Sequence, residues 1–143
     1  IVQAVERCKS MVYQFHKKHI KIIRIGLQTT EEISAPGCEN SEVLAGPFHP
    51  AFRQLVESSI WYDRIVDRIK SYNIKVREVE IMVNPIDVNI VVGHKKENKQ
   101  KLLETYDVEL KVISNDKIKP GQIEMKILKT YTDFLEDKEK IEI

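Results

Sequence analysis

Val5, Cys8, Val12 and Phe15 recur at helical spacing, with Glu6, Lys9 and Lys17 between them, which predicts an amphipathic helix over residues 1–19. Ile22-Ile23-Arg24-Ile25-Gly26-Leu27 follows as a nearly continuous β-branched run. Such a run suits a strand covered on both faces, and helix then buried strand is half of an α/β repeat. Beyond the acidic stretch 31–46, the turn Gly46-Pro47-Phe48-His49-Pro50 opens a long helix expected to reach about Tyr72. Its stripe is Phe52, Leu55, Val56, Ser59, Tyr62, Val66 and Ile69, widened by Ile60, Trp61 and Ile65.

After Asn73 the rhythm changes. Residues 74–83 alternate Val79, Ile81 and Val83 against Glu78, Glu80 and Met82, which predicts a strand. Asn84-Pro85 reads as a helix cap and first helical position, so residues 86–92 are assigned to a short helix despite their strand propensity. Gly93-His94-Lys95-Lys96 is a tight link to a second helix over 96–106, with Leu102, Leu103 and Tyr106 facing inward. Val108, Leu110 and Val112 alternate as a strand, Lys119-Pro120-Gly121 turns the chain, and Ile123, Met125 and Ile127 mark another strand.

Composition narrows the class. Of 143 residues, 42% are apolar and 31% charged, with a net charge of +1. That balance fits a globular domain with its own core, and excludes a histone-like polycation or an acidic tail protein. No stretch approaches the roughly 18 apolar residues of a membrane span. The chain begins with Ile1, inside a helical pattern with no N-cap and with no basic region followed by an apolar one, so it is read as a fragment or a processed product without a secretory signal, and a cytoplasmic location is expected.

Three places carry candidate chemistry. The first predicted strand ends in Gln28-Thr29-Thr30. These residues either start a solvated loop or occupy the C-terminal strand end where α/β barrels build their sites. His49 either stiffens its turn or faces a ligand. Residues 94–101 hold four lysines against one glutamate, the densest positive patch in the chain. Strand, helix, Gly93 link, helix and strand over 74–113 resemble the core of a KH domain, whose loop between helices clamps a single-stranded nucleic-acid backbone. The first glycine of that family's GXXG pattern is Gly93; Lys96 stands at the second. The candidate RNA contacts are therefore Gly93, His94, Lys95, Lys96, Lys99 and Lys101, against the plain alternative of a solvated helix start. Cys8, His16 and His19 lack a fourth ligand and a closed geometry for a metal, and Cys8 sits on the apolar stripe. No metal site is assigned, and no self-contained catalytic constellation is present.

The segments Ile23-Arg24-Ile25-Gly26-Leu27-Gln28 and Ala45-Gly46-Pro47-Phe48-His49-Pro50-Ala51-Phe52-Arg53-Gln54-Leu55-Val56-Glu57-Ser58 resemble the C-terminal region of radical S-adenosylmethionine (SAM) proteins, closest to the bacterial group similar to the Elongator catalytic subunit. Members of this group look like iron–sulfur oxidoreductases, and some have been labelled oxygen-independent coproporphyrinogen III oxidases by analogy. Their barrels carry a CxxxCxxC-type motif, whereas Cys8 and Cys38 here lie thirty positions apart.

The resemblance implies an α+β fragment. Residues 1–73 would be the helix–strand end of a partial radical SAM α/β barrel plus the long connecting helix. Residues 74–143 would be a small KH-like βααβ(β) lobe. Gln28 and Thr29 would face the SAM or substrate cavity. The parent would bind SAM and a [4Fe–4S] cluster, with no cofactor held by this fragment. Its partners would be the N-terminal radical SAM barrel of the same parent chain and tRNA or another RNA, with no membrane. Two activities compete: holding an RNA substrate for a radical SAM enzyme, or forming the structural tail of a porphyrinogen oxidase-like enzyme acting on a small molecule. A self-associating scaffold is the third reading.

Overall fold

A computed structural model describes residues 1–26, residue 39 and residues 51–131. The chain is mixed α+β, with four α-helices and a small three-stranded sheet among the described residues. It divides into two compact units, Ile1–Ile60 and Trp61–Ile143, and the division falls inside the second helix.

In the first unit, α1 spans Val2–Lys17. His16 and Lys17 lie in its last turn, where cations complement the helix dipole. His19, at φ 56°, turns the chain out of the helix. Val5 and Val12 bury the inner face against Val56 of α2, which spans Phe52–Lys70. Cys8, Phe52, Leu55 and Ile60 pack around them. Lys9 is buried on the same face, and its ammonium donates to Glu6 at 3.0 Å and to the Ser59 hydroxyl at 2.9 Å. Burial of that ammonium is tolerated because both partners satisfy it.

The strand expected from Ile22 does not form: residues 21–26 adopt neither helix nor strand. A strand needs a neighbour for its backbone groups, and among the described residues none pairs with this run. Only Ile22 and Ile25 join the helical cluster, while Ile23 is 85% exposed and Gly26 takes φ 77°. Phe15, expected on the buried stripe of α1, is exposed.

The second unit is built on the sheet, in the order β2-β1-β3. β1 (Val76–Val83) is central, β2 (Glu109–Ser114) runs parallel to it, and β3 (Ile123–Thr130) runs antiparallel on the other side. A parallel pair cannot be joined by a hairpin. Between them lie a 3-10 turn at Pro85–Asp87, α3 (Val88–Val92), a second such turn at His94–Lys96, and α4 (Glu97–Tyr106). The loop after β2 is stitched across the end of β1. Asn115 N–H donates to Val83 O at 2.8 Å, and the Asn84 side chain donates to Ile118 O at 2.8 Å.

Register pairs Val79 with Leu110 and Ile127, and Ile81 with Val112 and Met125, so these residues share one face. Trp61, Ile65 and Val66 of α2, Val91 of α3 and Leu102 of α4 complete the core on that face. Burial of each large aliphatic side chain contributes about 1.5–3 kcal/mol. Leu103, expected to face inward with Leu102, is 49% exposed. α4 presents one narrow apolar edge to the sheet.

Glu78, expected on the polar side of the alternation, is only 7% exposed. The β1–β3 register slips on both sides of it, which is why Val76 and Val79, three residues apart, are both buried. Its carboxylate accepts from Lys111 at 2.9 Å and pairs with Lys129 at 3.4 Å.

Candidate nucleic-acid interface

The Gly93 link is held from both ends. On the entry side, Asn84 Oδ1 accepts from Ile86 N–H at 3.1 Å and Pro85 occupies the first helical position. Asp87 is fixed in turn, its carboxylate accepting from Gly121 N–H at 2.8 Å. α3 then runs for five residues with Val91 fully buried.

At the exit from α3, Gly93 N–H donates to Asn89 O at 3.0 Å, and Gly93 takes φ 84°, ψ 164°. Only glycine enters that region without strain. A Cβ at Gly93 would stand 3.0 Å from the backbone nitrogen of Asn98. The link is thus tight as well as left-handed. Lys95 (φ 51°) and Lys96 (φ 61°) continue in the left-handed region, and Lys96 N–H donates back to Gly93 O at 3.1 Å.

Asn98 locks the turn. It is 6% exposed, and its side-chain amide donates to Val91 O at 3.0 Å, satisfying a carbonyl that α3 leaves without a helical partner. The sequence pattern counted Asn98 only as one member of a polar run. The available signal was a side chain with an amide donor five residues after a helix-ending glycine.

The structure sorts the candidate contacts. His94, Lys95 and Lys96 are exposed on the link, and Lys99 is half-buried in the first turn of α4. Lys95 and Lys96 are adjacent on the link, and Lys99 follows within the first turn of α4. Glu97 stands among them and offsets one charge. Lys101 points elsewhere: its ammonium sits 4.8 Å from the centre of the Tyr62 ring on α2. Burial raises the Tyr62 phenol above its ordinary value, so the ring under Lys101 stays neutral through the physiological range. The positive cluster on the link is therefore Lys95, Lys96 and Lys99, with Lys101 on a separate side of α4.

Gln28, Thr29, Cys38 and His49 lie outside the described residues. Cys8 is half-buried, and desolvation pushes its thiol upward, away from the thiolate form that binds metals. Among the described residues no three His, Cys, Asp or Glu side chains are grouped to hold a metal, and no helix is long and apolar enough to cross a membrane. Two cysteines in the whole chain do not fit a [4Fe–4S] cluster, which takes three or four thiolates from its protein.

Comparison of the chain with protein-family models, with curated proteins and with solved structures gives no match in any of the three.

Proposed function

We propose that this chain is the substrate-holding C-terminal part of a cytoplasmic radical SAM oxidoreductase of the Elongator-like group, and that it grips tRNA or another single-stranded RNA at the Gly93 link. In this reading residues 1–73 finish the barrel of the parent chain. Residues 74–143 form a KH-like lobe, and Gln28 and Thr29 face the SAM or substrate cavity. SAM and the iron–sulfur cluster belong to the parent barrel, where they supply radical chemistry. The part played by this chain is to bind and orient.

One observation carries the RNA reading. Lys96, at the position where the GXXG pattern has its second glycine, holds the left-handed conformation that a glycine would hold there. The link thus keeps a glycine-type turn at both ends while presenting lysines on its outside. The backbone amides at the start of α4 add positive potential at the same end of the helix. A phosphodiester strand passing the link would meet Lys95, Lys96 and Lys99. No Phe, Tyr or Trp lies between Val88 and Lys99, and His94 is the one ring on the link, so the expected contacts are chiefly to phosphate, with His94 placed to stack on a base.

Fluorescence anisotropy of the full chain with labelled single-stranded RNA and with tRNA tests this. Two or three phosphate contacts give a log–log salt slope of roughly −1.5 to −2 on single strands. Changing Lys95 and Lys96 together to Glu should abolish binding while leaving the circular dichroism spectrum intact. A parent chain that binds no RNA at low salt, or a double variant that binds as well as the parent, would favour the porphyrinogen oxidase-like alternative.

A further inference from the structure

We infer that the outer edge of β3 is a self-recognition surface, and that two copies of this chain pair through it in an antiparallel, two-fold arrangement centred on Met125. β3 is hydrogen-bonded to β1 on one side, and among the described residues no strand covers its other side. Such an edge is a template for another strand.

Two features distinguish this edge from that of β2. On β2, Leu110 is already buried beneath the helices, as is Val108 just before the strand, only Val112 stays half-buried on the core side, and Lys111 is engaged by Glu78 at 2.9 Å. On β3, Ile123, Met125 and Ile127 stay only half-buried, although their neighbours Val79, Ile81 and Val83 on β1 are fully buried. Apolar surface on the core side of β3 is still to be covered. On the opposite face Glu124 and Lys126 are exposed, and although Lys126 lies across from Glu80 of β1, neither side chain makes a hydrogen bond or ion pair with a described residue.

The sequence of β3 then selects one register. A two-fold axis at Lys126 would set lysine against lysine, and an axis at Glu124 would set glutamate against glutamate. An axis at Ile127 would place Glu124 across from Thr130, with no charge match. With the axis at Met125, Glu124 lies across from Lys126 of the partner subunit, and the same pair recurs by symmetry. Ile123 then lies across from Ile127 of the partner subunit, and Met125 meets its own copy, all on the core side. Alternation is respected throughout, because each pair joins residues of the same face. Lysines on an edge strand ordinarily deter pairing. Here the deterrent is cancelled only by a strand that brings a carboxylate opposite, and a second β3 does so twice. An edge this short makes a small interface, so the dimer is weak, with a dissociation constant on the order of micromolar.

Sedimentation velocity of the full chain over a concentration series reads the equilibrium. The parent should shift from monomer to dimer as concentration rises. Lys126→Glu and Glu124→Lys should each raise the dissociation constant about tenfold or more, since both symmetric pairs turn repulsive. The double swap E124K/K126E re-creates both pairs in reverse and should restore the dimer, which also shows that the single variants failed by charge and not by unfolding. A parent that stays monomeric at every concentration would overturn the proposal. So would dimers that survive Lys126→Glu, or single-variant losses that the double swap does not repair.

Discussion

The side chain of Asn98, in the first turn of α4, donates to the carbonyl of Val91 at 3.0 Å and so ties the start of one helix to the end of another. Both residues are buried. Asn98→Ala leaves the Val91 acceptor without this donor in a water-poor place and should lower stability by about 1–3 kcal/mol, read by urea denaturation. Asn98→Asp should cost more, since it sets a carboxylate oxygen against a carbonyl oxygen.

Gly93 and Lys96 should respond in opposite directions to substitution. Gly93→Ala meets both a positive φ and an approach of 3.0 Å to Asn98 N, and should destabilise by more than ~1 kcal/mol. Lys96→Gly removes a left-handed lysine and should stabilise by up to about 1 kcal/mol. If the link grips phosphate, Lys96→Gly should also weaken RNA binding, so that thermal melting and anisotropy move apart in one variant.

Acid should act through Glu78. Hydrogen bonding from Lys111, aided by Lys129, holds its carboxyl below the ordinary glutamate value of 4.5. A depressed folded value means that the stabilisation is complete above 4.5 and is lost as pH falls below it, through the folded value. Lys111 shifts the opposite way, above 10.5, because of the same pair. Its share is complete below 10.5 and is lost as pH rises through that higher folded value. Glu78→Gln should flatten both limbs of a plot of melting temperature against pH.

Ile81 lies on the central strand with no exposed surface. Ile81→Ala should cost about 2–5 kcal/mol from lost burial and the cavity left behind. A loss confined to the surface range of about 0.5 kcal/mol would show that the sheet face is open.

Much of the second unit could be read from the chain, because its signals are local. Asn84-Pro85 correctly marked a helix start where the strand propensity of residues 86–92 argued otherwise, since a capping side chain and a fixed φ act on the backbone directly. Period-two alternation found β1, β2 and β3. The failures lie where the outcome depends on distant neighbours. The run from Ile22 has strand residues but no pairing partner among the described residues. Glu78 looked solvated because the bulge that turns it inward is a property of two strands together. Of the candidate site, the glycine and the lysines were visible. The parting of Lys101 from Lys95, Lys96 and Lys99 was not, because it depends on Tyr62, far away in sequence.

Parallel pairing of β1 with β2 also sets an order of events as the chain folds. No turn can zip these strands together, so α3 and α4 have to bring Glu109 back beside Glu78 before the first ladder bond forms. The loop from Asn115 crosses the end of β1 and makes its bond to Val83 beside that same ladder. β3 is the last strand among the described residues and reaches β1 from the other side. Loop closure over the crossover, and not strand propensity, is then the expected kinetic bottleneck, and substitutions that loosen the Gly93 link should slow refolding more than they speed unfolding.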